Sequence, residues 1–332
     1  MTNAAVVLLM RTRTILTISF LIVSSATVVA RSDKHKKRPA DQQSERTTAA
    51  DPKVALSVCL RSGSITVHGW DRNQVRARTS DGTQIDFQRS AGANTQPAKE
   101  LSLVKDDGSS RTGRACLPFG DIQLDVPREA SVSLQAGDAD IKVSGVAKVH
   151  INTQDGSIAV EQVSRAADIN TLGGDISIRN SQGPIKLHSV GGSIEAHDIR
   201  SAETVDVCEA GSVGGDIALV HVNHAQLKVN AVNGTISFSG PLAAAGRYSF
   251  QTIAGDINLS LPADSSFRLS ATISRGEEIS TDFPLKSSAA TTEENEILKS
   301  HTHLQRIEAS YGTGDASITL SSFSGSVQLR KK

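Results

Sequence analysis

Aromatic residues are scarce in this sequence of 332 residues. They make up 3% of it, with one Trp and two Tyr, so the apolar residues are chiefly Val, Ile, Leu and Ala. That composition suits thin stacked β layers better than a large aromatic core. An excess of charge is also missing, because 35 basic residues balance 35 acidic ones. Nucleic-acid binding, which uses a basic patch or stripe, is therefore not expected.

Long helical periodicity is missing as well, and a recurring Gly-(Asp/Ser/Thr)-apolar turn takes its place. The turn glycines are Gly120, Gly137, Gly156, Gly174, Gly192, Gly215, Gly234, Gly255 and, in a degraded unit, Gly276. Their spacing ranges from 17 residues (120 to 137) to 23 residues (192 to 215). A repeat of roughly 20 residues is typical of a protein built from stacked coils.

Apolar residues occupy alternate positions on either side of these glycines, as in 167–172 and 175–178. A period of two indicates half-buried β-strands, and a unit of this size buries its apolar face only against its neighbours. The sequence therefore predicts an all-β fold, a parallel β-helix or β-solenoid of about 20-residue coils, over residues 120–332. Glycine accepts the positive φ of tight turns, so six glycines are predicted structural turn residues: Gly156, Gly174, Gly192, Gly215, Gly234 and Gly255.

The segments around the regular repeats differ in composition. Residues 53–119 contain three strand-like stretches and are predicted to be an N-terminal β segment that caps the stack. Within it, residues 89–114 are rich in Ser, Gly and charge, which indicates a long exposed loop. Residues 287–303 are polar and are predicted to be a loop within the repeats. The basic segment 329–332 is a candidate C-terminal cover.

The N-terminus has the pattern of an export signal. An apolar run, Ile15–Ala30, follows Arg11 and Arg13 and ends in small residues, so residues 1–30 are predicted to be a signal peptide. An uncleaved membrane anchor is the alternative, and Met10 gives a more conventional start than the first Met. Export implies a place in the periplasm, on the outer surface or outside the cell.

Residues 31–52 follow this signal and are charged, with no apolar periodicity. This pattern predicts a disordered linker between the cleavage site and the folded part.

Three cysteines are present: Cys59, Cys116 and Cys208. An exported protein meets an oxidising compartment, where disulfides persist. Cys59 and Cys116 flank the least regular segment and form the preferred pair, which leaves Cys208 free. Three buried free thiols are the alternative. No spacing among them resembles a zinc site.

Six carboxylates follow turn glycines, and in a stack they form a column. They are Asp121, Asp138, Asp175, Asp216, Asp256 and Asp315. A ladder of carboxylates is one way to bind calcium. Ser64, Ser157, Ser193 and Thr235 occupy the same slot, however, and all of these side chains bond the local backbone in turns. We therefore interpret the column as structural.

Catalytic, cofactor-binding and metal-ligating residues are not predicted. His221 with His224 and His301 with His303 are spaced for ligation, but neither pair has a Cys or carboxylate at matching spacing, so surface histidines are expected. A carbohydrate-active enzyme on a β-helix is the main enzymatic alternative. Sugar sites usually add aromatic platforms, which this sequence has few of.

Several segments together resemble the bacterial DUF4097 family, also described as a β-strand-repeat or putative-adhesin domain. They are Ser64–Arg72, the Gly-Gly-Asp-Ile and Asn-Gly-Thr-Ile turns, Tyr248–Ile257, 259–262 and Tyr311–Asp315. The resemblance covers most of residues 54–330. It implies an exported β-solenoid without known catalytic residues. The degraded unit at Gly276 and the long spacing before Gly215 depart from a strict repeat.

The sequence thus favours a non-enzymatic exported β-solenoid, a cell-envelope or surface scaffold with an adhesin-like binding role. Its expected partner is an envelope or surface protein or a glycan of unknown identity, with no cofactor. Contact with a membrane is expected only through the signal segment, if that segment stays uncleaved. The alternatives are a regulatory partner in envelope-stress signalling and the carbohydrate-active enzyme.

Overall fold

The computed structural model describes residues 44–89, 97–106, 116–203, 206–274, 279–287 and 304–332, all within one compact unit, Asp41–Lys332. The predicted signal peptide, residues 31–43 of the predicted linker, Gly276 and residues 288–303 of the predicted polar loop lie outside the described residues. All the regular secondary structure in the described residues consists of β-strands. The predicted all-β solenoid is confirmed.

The strands, numbered in chain order, are β1 (Ser44–Trp70), β2 (Gln74–Thr79), β3 (Ile85–Arg89), β4 (Ala98–Lys105), β5 (Gly120–Pro127), β6 (Ser131–Ser144), β7 (Lys148–Asp155), β8 (Ile158–Glu161), β9 (Ala166–Thr171), β10 (Ile176–Arg179), β11 (Ile185–Ser189), β12 (Ile194–Arg200), β13 (Val207–Ser212), β14 (Ile217–Asn223), β15 (Gln226–Asn233), β16 (Ile236–Ser239), β17 (Arg247–Ala254), β18 (Ile257–Leu261), β19 (Phe267–Ser274), β20 (Ile279–Thr281), β21 (Lys286–Ser287), β22 (Leu304–Tyr311), β23 (Ala316–Ser324) and β24 (Val327–Lys331).

Each coil contributes one strand before its turn glycine and one after it, which gives two stacked sheets. Sheet 1 has the order β3-β4-β1-β6-β7-β9-β11-β13-β15-β17-β23-β19-β22-β21. Sheet 2 has the order β2-β5-β1-β6-β8-β10-β12-β14-β16-β18-β24-β20. The long strands β1 and β6 bend from one sheet into the other. Pairing is parallel except at the ends, where β2, β3, β21 and β22 run antiparallel.

The core is a continuous stack of aliphatic side chains between the two sheets. Ile169, Ile176, Ile178, Ile185 and Leu187 are all fully buried, because alternate strand positions point inward. Burying a side chain of this kind stabilises the fold by roughly 1.5–3 kcal/mol.

Among the described residues, the buried aromatic side chains lie in the C-terminal coils. Phe238 packs against Phe250, and Phe267 packs edge-on against Phe283, with ring centroids 5.6 Å and 5.4 Å apart. The absence of a large aromatic core elsewhere follows from the composition.

Both ends of the stack are interleaved. The first coil, 55–70 within β1, lies between the later strands β4 and β5 on one side and β6 on the other. The coil formed by β23 and β24 lies between β17–β18 and the earlier strands β19–β20. The basic segment 329–332 is therefore not the C-terminal cover that the sequence indicated. Strands β19, β20 and β22 provide that cover, because β19 and β20 pair with the outer edges of β23 and β24, and β22 pairs with β19.

The predicted boundaries at the N-terminal end were wrong in three respects. Residues 44–52 belong to β1, where 44–49 pair antiparallel with β2, so this part of the predicted linker is ordered by a partner distant in sequence. Part of the predicted loop 89–114 is β4, whose Leu101 and Leu103 are buried. The predicted cap 53–119 contains a coil of the solenoid, while β5, assigned to the repeats, lies outside that coil.

Candidate functional site

The turn glycines stack into one column along the solenoid, with one column residue in each successive coil. The column contains Gly120, Gly63, Ala139, Gly156, Gly174, Gly192, Gly215, Gly234, Gly255 and Gly325. A Cβ atom at Gly174 would overlap the carbonyl oxygen of Gly156, and a Cβ at Gly215 would overlap that of Gly192. The close approach of one coil to the next therefore excludes a side chain at these positions.

Positive φ, which the sequence analysis gave as the reason for these glycines, applies to part of the column only. Gly156 has a φ of 100° and Gly255 one of 153°. Gly174, Gly192 and Gly215 do not have positive φ, and the neighbouring carbonyl oxygen alone requires glycine there.

A column of buried hydroxyl groups lies three residues before the turn glycines. Its members are Thr153, Thr171, Ser189, Ser212, Thr252 and Ser322. Ser212 Oγ accepts a hydrogen bond from the Gly215 N–H at 2.9 Å and donates to the Gly192 carbonyl at 3.1 Å. Ser189 makes the equivalent pair of bonds. These two serine hydroxyls satisfy backbone groups that burial removes from water.

The residues that follow the column glycines alternate strictly between Asp and a hydroxyl residue. In stack order they are Asp121, Ser64, Asp140, Ser157, Asp175, Ser193, Asp216, Thr235, Asp256 and Ser326. Asp175 accepts from the Ser193 N–H at 2.8 Å, and Asp256 accepts from the Ser326 N–H at 2.7 Å. We call this column the Asp–hydroxyl ladder. Its alternation keeps carboxylates out of adjacent coils.

Asp138 and Asp315 were expected in that ladder but lie elsewhere. Asp138 and the preceding Gly137 come before the column position, because Ala139 pairs with Gly63 and therefore holds the glycine position. The Ser157 hydroxyl and N–H both donate to the adjacent Asp140, which lowers the pKa of that carboxyl. Asp315 lies outside the ladder and accepts from Thr313 Oγ1 at 2.6 Å.

Two of the three cysteines lie where the interleaved first coil meets the segment just before β5. Cys59 of β1 and Cys116, just before β5, are joined by a disulfide bond in the structure. Cys208 is a free thiol on the inner face of β13, and burial raises its pKa to about 12. Such a thiol is unreactive, because the thiolate is the nucleophilic form.

The two histidines spaced for metal ligation point to different environments. His221 is exposed and pairs with Asp198, with 3.2 Å between Nδ1 and Oδ1. His224 is fully buried, which corrects the expectation of a surface histidine, and its Nε2 lies 2.9 Å from the Gly183 carbonyl. Burial lowers the His224 pKa, partly offset by that carbonyl and by Asp206. His301 and His303 lie outside the described residues.

The outer face of sheet 1 carries three parallel columns of side chains. The charged column consists of Asp168, Lys186, Glu209 and Lys228 in four consecutive coils. Two positions later lies the neutral column of Gln135, Asn152, Asn170, His188, Gly211, Asn230 and Gln251. Two positions later again lies the apolar ridge of Leu172, Val190, Val213, Val232, Ile253 and Phe323.

The apolar ridge is exposed although its residues are large. Leu172 is 62% and Phe323 59% exposed, and Val190, Val213 and Ile253 are also classed as exposed. These five are most of the exposed large apolar residues that the structure describes, and they are aligned rather than scattered. Aligned exposed apolar groups mark interaction surfaces, whereas single ones do not.

A groove of about 520 Å³ separates the ridge from the neutral column. Asn152, Asn170, His188 and Asn230 line one side, and the ridge valines line the other. The lining of the groove contains no Asp, Glu, Lys or Arg, and it places hydrogen-bonding groups opposite an apolar edge. Its Ser189 and Ser212 hydroxyls are committed to backbone groups, so they are not free nucleophiles.

A strip of bare backbone borders the ridge on its other side. Gly173, Gly191 and Gly214 follow ridge residues in successive coils. A Cβ at Gly191 or Gly214 would come no closer than 3.4 Å to its neighbours, so packing does not require glycine there. The strip leaves the ridge accessible from the side.

The ridge was not identified from the sequence, although a signal was present. Leu172, Val190 and Val213 each follow a hydroxyl residue and precede Gly-Gly, out of phase with the inward positions. In an alternating strand, such a residue points outward.

Two further observations concern metal binding and membrane-spanning helices. Across the ranges that the structure describes, no group of three or more His, Cys, Asp or Glu side chains is arranged to hold a metal ion. The same ranges contain no helix with the length and apolarity needed to cross a membrane.

Comparison with known protein families finds one family that matches the chain twice, over two overlapping ranges. The sequence profile of the family described as Toastrack DUF4097 matches residues 56–213 and again residues 186–330. The chain therefore belongs to the Toastrack DUF4097 family, and the suspected resemblance is confirmed. No protein of curated function matches the sequence.

Solved structures resemble this chain at low identity. A putative adhesin from Parabacteroides distasonis ATCC 8503 is 9% identical with a TM-score of 0.49, and the alignment covers 87% of this chain and 97% of that one. A putative adhesin from Parabacteroides merdae ATCC 43184 is 8% identical with a TM-score of 0.47, over 87% and 96% of the two chains.

Proposed function

We propose that this protein is an exported, non-enzymatic β-solenoid that acts as an adhesin-like scaffold in the cell envelope or on the surface. It binds a macromolecular partner through the outer face of sheet 1. The aligned exposure of the apolar ridge carries this proposal. A row of apolar side chains over successive coils costs solubility, and a partner that covers it explains its presence.

The neighbouring features support binding rather than catalysis. The groove beside the ridge presents amides and an imidazole, and its serine hydroxyls are held by the turn backbone. The rigid stack fixes these groups at the spacing of the coils, which favours recognition of an extended surface. Turnover of any member of a polysaccharide panel by the purified protein would contradict the non-enzymatic assignment.

Binding is tested with the exported protein and envelope fractions. The double variant Val190→Asp/Val213→Asp places charges on the ridge and is expected to lower the bound fraction at least 10-fold. Ser177→Asp/Ala218→Asp, on the outer face of sheet 2 in the coils that contain Leu172 and Val213, is the control and should bind like the wild type. Equal binding by the ridge variant and the control would contradict the proposal, provided that both melt as the wild type does.

Export is tested separately, because residues 1–30 lie outside the described residues. N-terminal sequencing of the protein recovered from the envelope or medium should begin at or near Arg31. A chain that still carries residues 10–30 would instead be anchored in a membrane.

A further inference from the structure

The charged column alternates in sign along the solenoid. Asp168 pairs in register with Lys186, Lys186 with Glu209, and Glu209 with Lys228. Asp168 contacts His150 and Asn170. Within the described ranges, Lys186, Glu209 and Lys228 form no ion pair or side-chain hydrogen bond. The charges of Lys186, Glu209 and Lys228 are therefore available to a partner.

We propose that the partner on this face is a second copy of the same chain, related by a two-fold axis that runs parallel to the strands between β11 and β13. This inference rests on the proposed function, in which the outer face of sheet 1 is a binding surface. The rotation preserves strand direction and reverses the order of the coils, so each column faces itself.

Charge complementarity follows from that operation. Asp168 then faces Lys228 of the other copy, and Lys186 faces Glu209, which gives four opposite-charge pairs across the interface. A slip of one coil places Lys186 against Lys186 and Asp168 against Glu209, all like charges. The alternation therefore sets one register, as complementary charges do in specific interfaces.

The other two columns are compatible with the same register. Asn170 faces Asn230 and Asn152 faces Gln251, and each amide presents both a donor and an acceptor. On the ridge, Leu172 faces Val232.

The bare strip beside the ridge gives an independent reason for close approach. At Gly191 and Gly214 the fold accepts a side chain, yet none is present. A second copy that packs over the Val190 and Val213 side chains needs that space.

Other occupants fit the face less well. A neutral glycan leaves the unpaired charges of Lys186, Glu209 and Lys228 without partners. An extended peptide rises about 3.3 Å per residue along its axis, against about 4.8 Å between coils, so its groups lose register with the columns. The balanced net charge of the chain imposes no long-range repulsion between copies.

The interface is small, which determines how it must be measured. Six coils span about 24 Å at the strand spacing, which places the contact at the low end of specific interfaces. Dimerisation is therefore expected at micromolar concentration, and sedimentation velocity of the exported protein over a concentration series at low and high salt is the measurement. Salt should weaken the dimer, because the charge pairs are screened.

Two charge variants separate the interface from the stability of the stack. Lys186→Glu places Glu against Glu209 of the second copy and should weaken dimerisation at least 10-fold. Lys186→Glu/Glu209→Lys restores opposite charges across the two-fold axis and should restore the dimer. Within one chain, both variants create two like-charge neighbours, so their melting temperatures should be similar.

The outcomes distinguish this inference from the proposed function. A wild-type protein that stays monomeric throughout, or a Lys186→Glu variant that dimerises like the wild type, would overturn the homodimer. If that monomer still binds envelope fractions through the ridge, the proposed function stands without this inference. If ridge-dependent binding is lost as well, both are wrong.

Discussion

The Asp216 carboxylate accepts a hydrogen bond from the backbone N–H of Thr235, one coil further along the stack, at 2.7 Å. The same backbone bond joins Asp140 to Ser157, Asp175 to Ser193 and Asp256 to Ser326. It ties consecutive coils at their corner, outside the ladder of strand hydrogen bonds. In this arrangement the aspartate acts as an acceptor for the neighbouring turn.

Replacing Asp216 by Ser tests this role. The exposed change removes one acceptor and is expected to cost about 1 kcal/mol of unfolding free energy. Ile217→Asp, one residue later and fully buried, should be far worse because it buries an unpaired charge. Thermal melts with and without calcium provide the measurement. A calcium-dependent rise in melting temperature that disappears in Asp216→Ser would instead show that the ladder binds metal.

Adjacent glycines offer a matched test of the column contact. Gly215→Ala should destabilise the protein by about 1–3 kcal/mol, because its Cβ overlaps the Gly192 carbonyl oxygen. Gly214→Ala should change stability by no more than about 0.5 kcal/mol, since its Cβ has room. Denaturant titration of both variants measures the difference. Equal losses would mean that the carbonyl contact does not determine the residue.

The buried hydroxyl column predicts opposite results at two of its members. Ser212→Ala leaves the Gly215 N–H and the Gly192 carbonyl without their partner, at a cost of about 1–3 kcal/mol. Among the described residues, Thr252 Oγ1 has no hydrogen-bond partner. Thr252→Val keeps the shape and removes an unsatisfied group, so it should be neutral or stabilising. Chemical denaturation of the pair gives the comparison, and a large loss in Thr252→Val would contradict it.

The buried His224 makes stability depend on pH near neutrality. Burial lowers its pKa below the ordinary 6.5, so the folded protein holds it neutral while the unfolded chain binds a proton more readily. Its contribution is complete above about pH 6.5 and is lost as the pH falls through the folded pKa. The unfolding free energy should fall between pH 8 and pH 5, and His224→Gln should remove much of that fall. His221→Gln, at an exposed site, should not.

The disulfide prediction concerns pairing in the exported protein. Non-reducing peptide mapping should recover Cys59 linked to Cys116, with Cys208 free. Reduction should cost about 4 kcal/mol in the chain-entropy account, given the sequence separation of 57 residues. Cys208→Ala should leave the mapped pair unchanged. Recovery of Cys208 in a disulfide would show that the assignment is wrong.

The parts of the fold that repeat locally were predictable from the sequence. Alternating apolar residues and turn glycines specify each coil, because every coil packs against neighbours of the same design. One local error arose at 137–141, where the turn position of the coil was assigned to Gly137, two residues before its actual place at Ala139. Buried Ile141 marks the true register, in which Asp140 follows the column position.

The parts that depend on distant pairing were not predictable from local pattern. Residues 44–49 contain no apolar alternation, yet they pair with β2 because its strand edge is available. The interleaving of both ends is likewise invisible to periodicity, since each inserted coil has an ordinary sequence. The candidate binding face depends on the alignment of outward residues across coils, which appears only when the coils are in register.

Interleaved ends impose an order of assembly on the chain. Strands β19 and β20 are synthesised before β23 and β24, but in the finished protein they cover them. A chain delivered from its N-terminus cannot finish its stack by adding each new coil to the outermost one. Strands β23 and β24 must insert between β17–β18 and the earlier-synthesised β19–β20, and the edges of those strands stay unpaired until then. Loss of the residues after 315 would remove an inner layer, so a truncated chain is left with an open end rather than a shorter solenoid.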